Sequence, residues 1–245
     1  MAPKIIALGS GKGGVGKTTV ALNLGFAIAS FNKKVLVVDT DVSLPNLDLY
    51  TGLEKPLLTL LEVLNGTADI QSATYTIQMG LHILPCGSSL QALQEVNIDK
   101  LGDVISKLKK SEFDIIILDV PAGLSRFSIL PMTYSDEVLL IVNPDPASIS
   151  DAQKVKAVAA LAGIDVTGII VNKYTKSVYG DLGVKLGLPV LGVIPTDDAI
   201  IKARDTKTPL IVLKPKSSSA KAILQIARKL CGIPEKKSFF ERLLR

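Results

Sequence analysis

The sequence predicts an α/β fold, a mostly parallel twisted sheet with helices on both faces. Three observations carry this. Short β-branched runs recur along the 245 residues, each closed by a turn or polar residue. Several are apolar on consecutive positions (VLVV, IIIL, VLLIV, GIIV) rather than alternating, as strands buried on both faces read. Segments with helical spacing separate them, and that alternation implies right-handed βαβ units.

Taken in order, Lys4–Leu8 is an apolar run stopped by glycine, and Lys17–Phe31 follows with helical periodicity. Lys34–Asp39 is the second strand, closed by an acid, and Leu57–Leu64 the second helical segment. Leu81–Leu84 is a short strand before the helical pattern of Ile98–Lys109. Phe113–Asp119 and Glu137–Asn143 are the most continuously apolar strands, and Ser150–Leu161 is helical. Val166–Asn172, the helical Tyr179–Leu186, Pro189–Ile194 and the helical Ser219–Leu230 complete the body. No repeat of 20–50 residues and no low-complexity linker splits it. The expected organisation is one domain over residues 1–233 and a short tail over 234–245, opened by Pro-Glu-Lys-Lys.

Composition bounds the function. Hydrophobic residues at 47% and charged residues at 21% are ordinary globular values, and 4% aromatics with no Trp leave an aliphatic core. Cys86 and Cys231 are the two cysteines, which excludes a disulfide scaffold, a zinc ribbon or a CxxC site within the chain and suits a reducing cytosol. The opening MAPKIIALGSGKGG has no signal-peptide pattern, and no run of 18 apolar residues is present, so neither export nor a membrane span is expected. The net charge of +5 is unevenly placed: residues 214–245 hold nine basic and two acidic side chains, the first 213 nineteen and twenty-one. A near-neutral body therefore carries a basic C-terminal region.

The strongest motif is Gly11-Lys12-Gly13-Gly14-Val15-Gly16-Lys17-Thr18, a complete GxxxxGK[ST] between an expected strand and an expected helix. Glycines let successive main-chain amides turn toward phosphate oxygens, and the helix N-terminus adds a favourable dipole. Lys17 is expected at the β- and γ-phosphates and the Thr18 hydroxyl on Mg²⁺, with residues 11 to 18 and Thr19 forming the nucleotide cradle. Gly9, Gly11 and Gly14 also spell G-x-G-x-x-G, with Asp39 where a dinucleotide fold places a ribose-binding acid. That fingerprint needs no GKT, and a lysine there has no role with a pyrophosphate lacking a γ group. The expected architecture is thus the three-layer P-loop NTPase fold.

Asp39, Asp41 and Asp119 each follow an apolar strand, and parallel strands bring their C-terminal ends to one edge beside this loop. Three carboxylates there repel one another unless a cation intervenes. Mg²⁺ takes few direct protein ligands, so Thr18 is expected as a direct ligand and Asp39 and Asp119 through waters. Asn172-Lys173 ends a strand, as does the NKxD element of guanine-binding P-loop proteins, yet the fourth residue is Thr175. Guanine loses its charged partner, and a missing hydrogen-bond partner discriminates strongly. ATP is the expected nucleotide. Asn172 reads equally as an adenine contact or as a strand-end turn cap.

With a second lysine, Lys12, the loop reads KGGVGKTT and resembles the deviant Walker A loop of the MinD/ParA family of ATPases. Val37-Val38-Asp39-Thr40-Asp41 followed by Leu44-Pro45-Asn46-Leu47-Asp48 is similar to the family's switch I. Ile117 to Gly123 (ILDVPAG) is similar to its Walker B and switch II region. Val142 to Asp145 and Ile149 to Asp151 resemble the MinD branch. The resemblance implies an ATPase, slow unless stimulated by a protein activator or effector, that dimerises with ATP. It implies that Lys12 reaches the partner subunit's nucleotide, that Asp41 positions the attacking water, and that Pro195 lines the adenine; Lys12, Lys17 and Asp41 are then the catalytic set.

Ser238-Phe-Phe-Glu241 forms a capping box. At about 100° per residue, Phe239, Phe240, Leu243 and Leu244 share one stripe opposite Glu241, Arg242 and Arg245. So short a helix needs a partner or a membrane to hold it. Docking on the body and insertion into an anionic membrane both satisfy the pattern. The family's C-terminal membrane-targeting helix resembles this tail, which implies a cytoplasmic protein held peripherally at the inner face of the membrane in its ATP state, in division-site placement or spatial organisation. A ParA-like partition ATPase, whose basic C-terminal region holds DNA, and a nucleotide-gated scaffold are the alternatives.

Overall fold

The computed structural model describes residues 2–53, 55–88, 96–175 and 182–234. The expected stripe of Phe239, Phe240, Leu243 and Leu244, most of the tail, and the start of the segment expected at 179–186 lie outside these residues.

Among the described residues there are eight strands: β1 (Lys4–Ser10), β2 (Val35–Asp39), β3 (Tyr75–Thr76), β4 (His82–Leu84), β5 (Ile115–Ala122), β6 (Glu137–Val142), β7 (Gly168–Tyr174) and β8 (Val190–Pro195). They form one sheet in the order β3-β4-β2-β5-β1-β6-β7-β8. β3 is antiparallel to β4 and every other pairing is parallel. The helices are α1 (Lys17–Ala29), α2 (Leu47–Thr51), α3 (Leu60–Asn65), α4 (Leu101–Leu108), α5 (Arg126–Thr133), α6 (Pro146–Leu161), α7 (Leu182–Leu186), α8 (Asp198–Asp205), α9 (Leu210–Leu213) and α10 (Ser218–Leu230).

Consecutive apolar residues are explained by the layering. Along β1, Ile5 and Ala7 face one core with Leu101, Ile105 and Val155, while Ile6 and Leu8 face the other with Leu24, Ile28 and Ile223. β2, β5 and β6 divide in the same way. Because side chains alternate across a strand, a sheet clad on both faces needs an apolar residue at every position. The expected three-layer architecture is the one observed.

Local chemistry moves several boundaries. α3 begins at Leu60 instead of Leu57 because Thr59 caps it, accepting from the Leu61 amide at 3.3 Å while Glu62 accepts from the Thr59 amide at 2.9 Å. α6 begins four residues earlier than expected: Asp145 accepts from the Ser148 amide at 2.9 Å and Pro146 occupies the first turn, where its missing N–H costs nothing. α2, α5, α8 and α9 have no counterpart in the periodicity; three are short, and Pro131 inside α5 masks a helical reading. β3 is two residues long, too brief for any pattern.

The topology sets the site. The chain leaves β1 for β2 on one side, while β6, β7 and β8 follow on the other, so a crevice opens at the C-terminal end of β1. Among the described residues no helix is long and apolar enough to cross a membrane.

Leu24 is completely buried between α1 and the sheet. Leu24→Ala is expected to cost about 2–5 kcal/mol, read in urea unfolding as a lower midpoint at unchanged slope.

Candidate nucleotide site

Residues 11 to 16 turn from β1 into α1. Gly14 and Gly16 have φ of +76° and +96°, a region that a β-carbon disfavours. A β-carbon on Gly11 would lie 2.4 Å from the Asp151 backbone, so α6 presses directly on the loop. Gly16 caps α1 without any side-chain acceptor, and the first turn holds no acid. By contrast, Thr59, Asp145, Asp197 and Ser217 each supply a side-chain oxygen to the helix they precede. The leading amides of α1 are thus left without a side-chain partner, and Lys17 stands at the positive end of the dipole. That arrangement favours an anion.

The loop's carbonyl side is held from outside. Asn172, 5% exposed at the end of β7, donates Nδ2 to the Val15 carbonyl at 2.8 Å. Lys173 donates Nζ to the Gly14 carbonyl at 2.7 Å from a backbone with φ of +54°. Both line a cavity of about 440 Å³, together with Gly16, Thr19, Pro195 and Arg204. The expected base-side residues Asn172 and Pro195 therefore meet the phosphate loop in one cleft. Asn172 is turned toward the phosphate loop, 157 residues away, instead of capping a turn at its own strand end, and it also forms part of the wall.

Register brings the acids together. Asp39 on β2 pairs directly with Asp119 on β5, and both are buried, at 1% and 3% exposed. Thr18 donates Oγ1 to Asp119 Oδ2 at 2.5 Å, while Asp119 Oδ1 is buried with no hydrogen-bond partner among the described residues. Asp39 accepts the backbone amides of Asp41 at 2.9 Å, Asn46 at 3.1 Å and Leu47 at 3.2 Å, so its carboxylate anchors the segment opening α2. Burial, reinforced by the neighbouring Asp119 charge, pushes the Asp39 carboxyl up to about 8. Burial also raises Asp119, to about 6, against the opposing pull of the Thr18 hydroxyl and the Lys17 ammonium.

These residues fit Mg²⁺. An orphaned carboxylate oxygen beside a threonine hydroxyl is the hard-oxygen donor set that the ion selects, and a divalent cation removes the cost of two desolvated carboxylates. Among the described residues no three His, Cys, Asp or Glu gather as a self-contained cage. Thr18, Asp39 and Asp119 are the residues that would hold the ion, with nucleotide oxygens and water completing its shell.

Asp41 is half-buried and its Oδ1 closes a turn, accepting from Ser43 at 3.2 Å and Leu44 at 3.0 Å. The Lys12 side chain is 49% exposed, with Nζ 4.0 Å from the Asp145 carboxylate. Sequence reasoning did not assign roles to Lys173 or Thr40. The latter binds the Asp119 carbonyl with both its amide and its hydroxyl at 3.0 Å, tying the segment after β2 to β5. Lys173 was readable beside Asn172; Thr40 belongs to no chemical pattern that spacing reveals.

Residues 3–162 match the family model described as an AAA domain. The chain is 41% identical to an uncharacterized ATP-binding protein of Methanocaldococcus jannaschii, over 93% of this chain and 87% of the relative. It superposes with a TM-score of 0.87 on the septum site-determining protein MinD complexed with Mg-ADP from Pyrococcus horikoshii, 35% identical, covering 96% of this chain and 99% of that one. It is similar, with a TM-score of 0.84 and 31% identity, to a chain of the MinC:MinD cell division protein complex of Aquifex aeolicus, covering 96% of this chain and 99% of that one.

Because Asp119 is a buried charge awaiting a cation, Asp119→Asn is expected to raise the melting temperature of the metal-free protein by a few degrees. The same variant is expected to lose most of the extra stabilisation conferred by Mg²⁺ with ATP. Thermal unfolding with and without Mg-ATP checks both.

Proposed function

Because the chain belongs to the MinD/ParA family of P-loop ATPases, we propose that it is a MinD-like switch that binds Mg-ATP, dimerises across the nucleotide and associates reversibly with an anionic membrane. The chemistry is hydrolysis of ATP to ADP and phosphate. Main-chain amides of residues 11 to 19 and the Lys17 ammonium hold the β- and γ-phosphates. Mg²⁺, when bound by Thr18 and, through water, by Asp39 and Asp119, neutralises phosphate charge. Asp41 orients the attacking water once it leaves the turn it closes. Lys12 completes charge neutralisation at the partner subunit's nucleotide, so turnover requires the dimer.

The observation that carries this reading is the site's unbalanced charge distribution. Unclaimed amides and Lys17 open α1 beside two buried acids, while Lys12 of the same loop is 49% exposed, with its Nζ 4.0 Å from the part-exposed Asp145 carboxylate. An exposed cation on a phosphate loop is available to a phosphate that arrives with a second subunit.

Residues 1–233 are the ATPase domain in this proposal. Residues 234–245 are a basic hinge and a short membrane-targeting helix carrying Phe239, Phe240, Leu243 and Leu244. Four such side chains contribute about 6–12 kcal/mol gross, and two tails in a dimer make the second insertion intramolecular. ATP would thereby place the protein at the inner face of the membrane, and hydrolysis, stimulated by a protein activator or effector, would return it to the cytoplasm. Such a cycle serves cell-division site placement or spatial organisation. The complex of MinC with MinD in Aquifex aeolicus supports a protein partner.

Lys12→Ala is expected to retain ATP binding but lose ATP-dependent dimerisation and stimulated turnover, measured by sedimentation and phosphate release. Full retention of both removes the trans-acting lysine. The full chain is expected to sediment with anionic liposomes in ATP and not in ADP, and to lose this on removal of residues 238–245. ATP-dependent binding to duplex DNA that survives the truncation, without liposome binding, favours the partition reading instead.

A further inference from the structure

The lysine at the end of β7 has an unusual backbone and an unusual partner. Lys173 holds φ at +54°, in the left-handed region that β-carbon-bearing residues disfavour. Its side chain nevertheless crosses to the phosphate loop, 159 residues away in sequence, and donates to the Gly14 carbonyl at 2.7 Å. The neighbouring Asn172 donates to the next carbonyl, that of Val15, at 2.8 Å. Two consecutive residues of β7 thus bind two consecutive carbonyls of the loop.

This pairing follows from what such a loop must do. When successive amides converge on a phosphate, the intervening carbonyls are left facing away, and each needs a donor from elsewhere. A carbonyl that swung inward would place its oxygen against the phosphate. The lysine stem and the Asn172 side chain also line the cavity of about 440 Å³ that reaches Pro195 and Arg204, so the wall that receives the base is continuous with the brace behind the loop.

We propose that Lys173 is a positioning residue for ATP hydrolysis: its ammonium fixes the Gly14 peptide with the carbonyl outward, and its stem couples occupancy of the base cavity to the set of the phosphate loop. The assignment rests on the nucleotide reading above and adds a residue to it. Lys173 acts on phosphate through the loop's main chain. The charge-assisted hydrogen bond is among the stronger classes, but Lys173 is exposed, so its loss is expected to be moderate.

The test compares the wild-type chain with Lys173→Met, which keeps the stem and removes the donor, and Lys173→Arg, which restores a donor. Calorimetry is run with Mg-ATP and with Mg-tripolyphosphate, which has no base. Lys173→Met is expected to weaken both ligands by the same factor, about 3–10-fold. Lys173→Arg is expected to recover most of the loss, and the melting temperature of the ligand-free protein to stay within about two degrees. A loss confined to ATP makes Lys173 only a wall for the base and overturns the proposal. So does unchanged affinity for both ligands, or a lowered melting temperature with unchanged affinity. A wild-type chain that binds neither ligand overturns the nucleotide reading itself.

Discussion

Two carboxylates held side by side out of water impose the condition around which the rest of the molecule is arranged. Asp39 and Asp119 are register partners on β2 and β5. Burial disfavours the charged form of both, and the Asp119 charge adds to this at Asp39. Backbone amides from Asp41, Asn46 and Leu47 offset part of this for Asp39. For Asp119 the Thr18 hydroxyl does so at one oxygen, and the other has no partner among the described residues. The site carries negative charge beneath and positive charge in front, where the amides of α1 and Lys17 wait. A magnesium–triphosphate complex, a cation and an anion in one ligand, answers both imbalances at once.

The same contacts link the site to segments that can report its state. Asp39 anchors the chain from Asp41 to the start of α2, and Thr40 ties that stretch to the Asp119 carbonyl. Removing or adding charge at the carboxylates therefore changes the support of the whole segment that follows β2. On the other side, Asp197 caps α8 through the Ala199 amide at 2.9 Å and accepts from the Ser219 hydroxyl of α10 at 2.6 Å. It also lines the base cavity. α10 is the last described helix before the C-terminal tail, so the cavity has a short path of hydrogen bonds to the element from which the tail departs.

Much of this was legible from residues alone. Strands read from consecutive apolar runs appear within a few residues of their expected limits, because two-sided burial demands that pattern. The phosphate loop was legible because GxxxxGK[ST] specifies backbone conformation as well as chemistry: Gly14 and Gly16 occupy the left-handed region that the motif requires. That Asp39 closes β2 followed from chain polarity in a parallel sheet; Asp119 was expected to close its strand too, but β5 continues to Ala122 and holds Asp119 three residues before its end. α5 was hidden by Pro131, and α2, α8 and α9 are too short or too polar to announce a period; contacts with the body hold them in place.

Composition, periodicity and one motif determined that this chain is a three-layer sheet protein that gathers phosphate at the end of its first strand. They could do so because burial, backbone freedom and helix polarity act over a few neighbouring residues. Only the tertiary structure decided which groups 79 to 159 residues apart meet: Thr40 on the Asp119 carbonyl, Asn172 and Lys173 on Val15 and Gly14, Asp151 against Gly11. Those meetings depend on strand order and register, which arise from packing the whole sheet between its two layers. A hydrogen bond across such separations leaves no spacing rule in the chain that makes it.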